Sequence, residues 1–256
     1  MAIMLKRPQD VEAMRAAGKI VATAFAQLKE DIRPGISLRE LDERVAALLK
    51  REGAETLYKG YRGSPPTHPP FPGVICASVN NQVCHGFPNE RILSEGDIVG
   101  IDIGLKYKGW CGDSCVTYPV GQVKPEAARL LEVAEAAMWQ GIHAAQVGRH
   151  ISDIGAVIQA YAAKFGYSVI YNWGGHGIGR NLHEDPSVPH RGPGGQGVKL
   201  RPNMIFTVEP MINAGGPEWA LLRDGWTVVT QDGALSAQFE HTIVITPDGP
   251  EVLSKL

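Results

Sequence analysis

The chain has 256 residues, of which 44% are hydrophobic and 20% are charged, a composition that excludes disordered and fibrous proteins. Its formal net charge of −2 gives no overall basic surface for DNA or for an anionic membrane. No apolar run approaches the roughly 20 residues that span a bilayer, and residues 1–10 lack the apolar segment of a secretory signal. These features predict a cytoplasmic globular protein.

Two pairs of helices are predicted, one in each half of the chain, and they cover residues 9–30, 38–52, 125–142 and 152–165. Ser37 and Glu40 form a capping box for the second helix, and Gly53 ends it. The order of helix, break, helix and glycine recurs in the second half. It predicts one domain with two similar halves, roughly 1–120 and 121–256.

Strands are predicted after each helix pair, at residues 74–79, 98–105, 114–120, 168–171, 204–212, 227–230 and 239–245. Residues 61–73 hold five prolines and residues 191–197 are rich in glycine, so both are predicted loops. Such loops either border a site or are plain surface connections. Helices before antiparallel-looking strands favour an α+β fold over a doubly wound parallel sheet.

The four cysteines are Cys76, Cys84, Cys111 and Cys115, and their spacing does not match a paired structural zinc motif. They lie in apolar, strand-like sequence. We interpret them as small buried residues of a protein in a reducing compartment, rather than as a disulfide framework.

A β-hairpin is predicted between the second and third strands, and each of its arms carries an aspartate. A turn at Tyr107–Lys108 would place Asp102 directly opposite Asp113. A turn at Lys108–Gly109 would make them diagonal neighbours on one face, and a bulge at Gly112 would break the alternation. Facing carboxylates repel each other, so protonation, a basic side chain or a divalent cation must compensate. The alternative is that one aspartate faces solvent at a strand end.

Two further acids, Glu209 and Glu240, lie inside apolar, β-branched runs where a buried charge is costly. Taken alone, either one could be an edge-strand residue that faces water. Four such acids in one chain favour a shared anionic site that holds cations.

Three histidines accompany these acids. His176 lies in a glycine-rich stretch, His183 follows it closely, and His85 is at a boundary between a strand and a turn. Each histidine alone could be a hydrogen-bonded structural residue. The chain has no phosphate loop, no H-E-x-x-H motif and no G-x-S-x-G motif, which argues against a nucleotide site, a helical zinc site and a serine nucleophile.

A site of four carboxylates and one imidazole suits Mn, Fe(II), Co or Mg better than a thiolate zinc site does. Two bridging carboxylates can hold two ions and activate water as a hydroxide nucleophile near neutral pH. From its residues alone, the sequence predicts a two-metal hydrolase that acts on an amide or an ester.

At these residues the sequence resembles the bacterial type I methionine aminopeptidases. The matching segments are S-V-N-N-Q-V-C-H-G (78–86), G-D-I-V-G-I-D-I-G (96–104), C-G-D-S (111–114), G-G-H-G-I-G (174–179), H-E-D-P (183–186), F-T-V-E-P-M-I (206–212), D-G-W-T (224–227) and S-A-Q-F-E-H-T (236–242). Their order and spacing extend over nearly the whole chain. The resemblance implies the pseudo-twofold "pita-bread" fold, an antiparallel-rich sheet with helices packed on its outer face.

The resemblance also implies five ligands for two divalent metal ions of Co, Mn, Fe(II) or Zn. Asp113 and Glu240 would bridge the ions, His176 and Glu209 would complete one site, and Asp102 would complete the other.

The implied activity is removal of the N-terminal methionine from nascent polypeptides at the ribosome when the second residue is small. Glu209 would take the proton of the attacking water, His183 would stabilise the oxyanion, and His85 would contact the scissile amide nitrogen and assist its protonation. The implied methionine pocket consists of Phe71, Cys76, Leu182 and Trp226.

One position departs from the family. A histidine often precedes the pocket aromatic there, whereas this chain has Pro69 at the equivalent position and His68 next to it. Two rival interpretations are a proline-specific peptidase of the same fold and a non-enzymatic binding scaffold. The first resembles a longer chain with an added N-terminal domain. The second would have lost metal ligands that this chain retains.

Overall fold

The structure is a computed structural model that describes residues 3–63 and 66–256. In this part of the chain the α-helices are Pro8–Asp31 (α1), Leu38–Glu52 (α2), Pro125–Ala144 (α3) and Ser152–Ala163 (α4). All four predicted helices are confirmed, with ends that differ by no more than about two residues. None of these helices combines the length and the apolarity needed to span a membrane.

Local sequence accounts for the helix ends. The Ser37 side chain accepts a hydrogen bond from the Glu40 backbone N–H, and the Glu40 side chain accepts one from the Ser37 backbone N–H at 2.9 Å. Gly53 ends α2 in the left-handed region at φ 67°. The prediction for α4 is two residues too long. Lys164 N–H bonds back only three residues, to the Tyr161 carbonyl, so the helix tightens into a turn before Phe165.

Fifteen strands follow in chain order within the described ranges. They are Glu55–Thr56 (β1), Cys76–Val79 (β2), Gln82–Cys84 (β3), Ile98–Tyr107 (β4), Trp110–Pro119 (β5), Ser168–Val169 (β6), Gly174–Gly177 (β7), Glu184–Pro189 (β8), Ile205–Val208 (β9), Met211–Asn213 (β10), Trp219–Leu221 (β11), Val228–Thr230 (β12), Ser236–Gln238 (β13), Glu240–Thr246 (β14) and Gly249–Val252 (β15). Every predicted run contains a strand.

Three of the predicted runs need correction. The run 114–120 begins four residues earlier, at Trp110, because its ladder with β4 continues to the turn. The predicted run 74–79 begins as a strand only at Cys76. The backbone N–H groups of Val74 and Ile75 donate to the Asp42 side chain instead of to a neighbouring strand. The run 204–212 divides into β9 and β10 on either side of Glu209 and Pro210, since proline has no N–H for a sheet ladder.

The strands form one large sheet and two small ones, and every pair is antiparallel. The large sheet has nine strands in the order β1-β4-β5-β14-β9-β7-β8, with β2 added to β4 and β15 added to β14. The small sheets are β13-β10-β6 and β11-β12-β3. This architecture confirms the predicted α+β class.

Helices cover one face of the large sheet. Ile101 and Ile103 of β4 pack in a buried cluster with α1 and α2, while Phe206 and Ile243 pack in a second cluster with α3 and α4. Side chains alternate along a strand, so Asp102, which lies between the two isoleucines, points to the opposite face. The helix pairs thus lie on the outer face of the sheet, and Asp102 lies on the inner face. The division into two similar halves stays a prediction.

The turn between β4 and β5 fixes the position of the two aspartates. It consists of Lys108 and Gly109, which both have a positive φ, of 49° and 79°. The register then places Asp102 opposite Cys115 and Asp113 opposite Gly104, without a bulge. Of the predicted arrangements, the diagonal one is therefore present.

This turn leads to two predictions, one of a lower and one of a higher free energy of unfolding. Gly109→Ala is expected to lower the free energy of unfolding by about 1–2 kcal/mol, because a Cβ disfavours the left-handed region. Lys108→Asn is expected to raise it slightly, since asparagine tolerates that region better than lysine does. Urea denaturation of both variants measures the two changes, and a loss of stability in both would contradict the turn geometry.

Candidate active site

All eleven residues singled out in the sequence line one cavity of about 520 Å³ on the inner face of the sheet. They are Phe71, Cys76, His85, Asp102, Asp113, His176, Leu182, His183, Glu209, Trp226 and Glu240. They are far apart in the sequence, from Phe71 to Glu240, and the sheet brings them together.

Three of the carboxylates are placed by strand register. Cys76 of β2 pairs with Asp102 of β4, Asp102 pairs with Cys115 of β5, and Cys115 pairs with Glu240 of β14. Directly opposed residues share a face of a sheet, so this row presents both acids to the cavity. Asp113 lies two residues from Cys115 on β5 and therefore shares the same face.

Tyr58 joins two of these acids and was not predicted from the sequence. Its hydroxyl lies 2.5 Å from Asp102 Oδ1 and 2.8 Å from Asp113 Oδ1. One O–H proton can serve only one carboxylate at a time, so the hydroxyl ties the pair together without neutralising both. A Cβ at Gly104 would meet the Tyr58 ring at 2.6 Å. Gly104, in the G-I-D-I-G segment, is the sequence feature that could have indicated this close contact.

Glu209 follows β9 and is held at both oxygens. The Thr207 hydroxyl donates to Oε1 at 2.6 Å, and the Gln238 amide donates to Oε2 at 3.4 Å. Its backbone N–H donates to Nε2 of the buried His190 at 3.2 Å. These contacts fix the carboxylate toward the cavity.

His176 presents an unprotonated nitrogen to the acids. Its Nδ1 lies 3.1 Å from the Gly177 carbonyl, which can only accept, so Nδ1 carries the proton and Nε2 carries the lone pair. This Nε2 lies 3.5 Å from Glu209 Oε1 and 3.7 Å from Asp113 Oδ2. Burial, reinforced by neighbouring His183, lowers the pKa of His176 to about 3, so the ring is neutral.

The arrangement fits a divalent cation. Asp113, His176 and Glu240 each offer a ligand atom, and these atoms lie within 4.8 Å of one another. Glu240 Oε1 is buried without a hydrogen-bond partner, and no Lys or Arg is among the cavity-lining residues of the described chain. The basic side chain considered above as a compensating group is thus not found here. Hard oxygen donors with one imidazole are the ligands that such cations prefer.

Without a cation the acids favour protonation. Burial raises the pKa of all four carboxyls, and for Asp113, Glu209 and Glu240 neighbouring carboxylates raise the pKa further. A positive ion among them would reverse this effect, because it stabilises the charged forms.

Two other histidines border the acids. The His183 ring centre lies 4.4 Å from that of His176, and its Nδ1 lies 3.3 Å from the Tyr61 hydroxyl. His85 has a positive φ of 57°, and its ring packs edge-on to Trp173 at 5.3 Å. Burial is the main cause that lowers the pKa of His183 and that of His85, the latter to about 4, so both rings are neutral.

An apolar pocket adjoins the acids. Phe71 and Trp226 meet edge to face at 5.5 Å, and both pack in one buried cluster with Cys76, against which Leu182 also packs. The His68 ring lies on Trp226 at 4.7 Å, while the Trp226 indole N–H donates to the Pro69 carbonyl at 2.8 Å. The loop residues that depart from the family pattern thus hold the pocket tryptophan.

The model of metallopeptidase family M24 matches residues 12–247, which agrees with the fold and with the acidic site. "Methionine aminopeptidase 1" of Bacillus subtilis (strain 168) is 44% identical over 254 residues, covering 99% of this chain and 100% of the relative. The crystal structure of methionine aminopeptidase from Rickettsia prowazekii superposes with a TM-score of 0.95 at 41% identity, covering 99% of this chain and 100% of that one. The chain therefore belongs to the methionine aminopeptidases of metallopeptidase family M24.

The proline-specific alternative is less well supported. An Xaa-Pro dipeptidase from Bacillus anthracis shares the fold with a TM-score of 0.77, but it is only 23% identical, and this chain covers 62% of its length. Membership of a metallopeptidase family also disfavours the non-enzymatic scaffold.

An ion pair between Lys6 and the cavity-lining Glu184 anchors the segment that carries Leu182 and His183. Lys6 Nζ lies 2.6 Å from Glu184 Oε2, and the lysine side chain is only 5% exposed. Glu184 Oε1 accepts a hydrogen bond from the Asn181 backbone N–H at 3.0 Å. The N-terminal segment thus holds one wall of the cavity from outside.

We expect Lys6→Met to lower the free energy of unfolding by about 2–4 kcal/mol, because it leaves the partly buried Glu184 carboxylate without its buried cation. The matched control is Arg39→Met, which removes the exposed partner of the exposed Glu90 and should cost no more than about 1 kcal/mol. Urea denaturation of both variants gives the comparison. Equal and small losses would mean that the buried pair is not structural.

Proposed function

We propose that this protein removes the N-terminal methionine from polypeptides whose second residue is small. The observation that carries the proposal is the direct contact between the acidic cluster and the apolar pocket of Phe71, Cys76 and Trp226 in one cavity. A polarisable, aromatic-lined surface suits a thioether side chain. The relatives that are named methionine aminopeptidases support the same assignment.

We propose that two divalent ions of Co, Mn, Fe(II) or Zn occupy the acidic cluster. Asp113 and Glu240 would be shared between them, His176 and Glu209 would complete one site, and Asp102 would complete the other. When bound, such ions lower the pKa of water and polarise a peptide carbonyl. The unpartnered Glu240 oxygen and the neutral His176 nitrogen support this ligand set.

Side chains of the protein would carry out the proton transfers and stabilise the oxyanion. Glu209 would take a proton from the attacking water and pass it to the leaving amine as the C–N bond breaks. His85 would contact the scissile amide nitrogen and assist its protonation. His183 would donate a hydrogen bond to the carbonyl oxygen as it becomes an oxyanion. The Tyr61 hydroxyl can donate to His183 Nδ1, which leaves the imidazole proton on Nε2 for that donation.

We propose that the chain acts as one catalytic domain, since Asp102 and Asp113 come from its first half and His176, Glu209 and Glu240 from its second. The proposed setting is the cytoplasm, and the proposed substrates are nascent chains at the ribosome. All four cysteines are free and buried, which fits a reducing compartment.

Loss of a shared ligand should abolish activity. Asp113→Asn and Glu240→Gln are each expected to lower kcat/KM on Met-Ala-Ser at least about 100-fold, because a neutral amide replaces a bridging carboxylate. The exposed Glu43→Gln serves as the matched control and should leave activity unchanged. A smaller loss in the ligand variants would mean that these groups contribute less than about 3 kcal/mol to the transition state.

His183→Ala tests the oxyanion role. Because the hydrogen bond strengthens only as charge develops, kcat should fall about 100-fold to 1,000-fold while KM changes little. Steady-state kinetics on Met-Ala-Ser separate the two constants. A rise in KM with an unchanged kcat would identify His183 as a binding residue instead.

Substrate choice tests the pocket. Methionine should be preferred over leucine by about 10-fold to 200-fold in kcat/KM, since branching at Cγ misfits a slot for a straight side chain. Trp226→Ala should relax the preference at the first or the second position. The measurement compares Met-Ala-Ser, Leu-Ala-Ser and Met-Leu-Ser for both proteins. Equal cleavage of the first two peptides by the wild type would contradict the assignment, and efficient cleavage of X-Pro dipeptides would favour the proline-specific alternative.

A further inference from the structure

A second groove continues the active-site cavity along the outer edge of the sheet. Its volume is about 430 Å³, and Asn172, Trp173, Gly174 and Ser187 line both spaces. The groove is also lined by four residues that do not line the active-site cavity, namely Tyr171, Pro189, His190 and Arg191. A chain that leaves the acidic cluster past Trp173 would therefore enter this groove.

Arg191 offers a positioned positive charge there. Its guanidinium group lies over the Tyr171 ring at 3.8 Å, and its Nη1 donates to the Val169 carbonyl at 3.0 Å. These two contacts hold the group in place and leave most of its five N–H donors unused. Among residues 3–63 and 66–256, no carboxylate forms an ion pair with Arg191, and no acidic side chain lines the groove.

The sheet gives the distance between this charge and the metal ligands. His176 pairs with Ser187 and Gly174 pairs with Pro189, so Arg191 lies two residues beyond that second pair. Strand β8 ends at Pro189, and His190 and Arg191 follow in a bend, so the four residues from Ser187 to Arg191 span at most about 13 Å at roughly 3.3 Å per residue. An extended peptide covers this span in about four residues.

We propose that the groove binds the part of the substrate that follows its second residue, and that Arg191 favours an acidic side chain at the third, fourth or fifth position. This inference rests on the proposed function, because it takes the substrate to be a peptide that begins at the acidic cluster. Arginine matches a carboxylate with two parallel hydrogen bonds, which gives the subsite its chemical selectivity.

The test is an aspartate scan. Hexapeptides that begin Met-Ala and continue in serine carry either Asp or the isosteric Asn at position three, four or five. For the wild type we expect kcat/KM to be about threefold to tenfold higher for Asp than for Asn at one of these positions. Raising the ionic strength from about 0.05 M to about 0.5 M should reduce that ratio, since salt screens a partly exposed pair.

Substitutions at Arg191 test whether this residue causes the preference for Asp over Asn. Arg191→Met should bring the Asp peptide down to the level of the Asn peptide, and Arg191→Lys should keep part of the preference. The matched control is Arg129→Met, which removes another arginine stacked on an aromatic ring, that of Phe165, outside both cavities. This control should keep the full preference.

The outcomes separate the two proposals. Cleavage of Met-Ala-Ser with no Asp preference at any of the three positions would overturn the subsite and leave the proposed function standing. A preference that persists in Arg191→Met would also overturn it. Failure of the wild type to release methionine from any peptide would refute the proposed function and the subsite together.

Discussion

Four carboxylates share one small, buried volume, and the rest of the structure depends on how their charge is compensated. Asp102, Asp113, Glu209 and Glu240 all line the same cavity, and burial alone raises the pKa of each. The surrounding hydrogen bonds orient the acids but do not neutralise them. Only protonation or cations can remove the repulsion. Because protonated acids would make poor ligands and poor bases, the proposed function requires positive ions among them.

The antiparallel sheet brings these carboxylates together despite their mutual repulsion. Rigid neighbouring strands hold Asp102, Asp113 and Glu240 at fixed spacing, and the helices on the outer face supply the apolar burial that offsets the cost. The same inner face carries Cys76, so the pocket for an apolar side chain begins one residue pair away from the acids. One strand register thus places the proposed catalytic acids beside the proposed side-chain pocket.

Much of this could be predicted from the sequence, for reasons that differ between elements. Helix ends such as Ser37 and Gly53 are predictable because capping depends only on neighbouring residues. Acids within apolar runs are easily recognised in the sequence. The hairpin register was open, because it depends on which residues make the turn. Seven strands of the described residues were not predicted: β1, β3, β7, β8, β11, β13 and β15. Glycine and proline hide the pattern of β7 and β8, and the other five are only two to four residues long. Tyr58 was missed because its partners are far away in the sequence. The role of each site residue came from the family resemblance and not from its pattern.

The most direct test of the central claim is a count of bound metal ions. Metal-free protein is dialysed to equilibrium against Mn(II) or Co(II), and bound metal per chain is measured for the wild type and for Asp113→Asn. The proposed ligand set predicts two ions per wild-type chain at saturation, with both affinities weakened in the variant because Asp113 would be a ligand of both ions. Binding of no ion by the wild type at millimolar metal would contradict it.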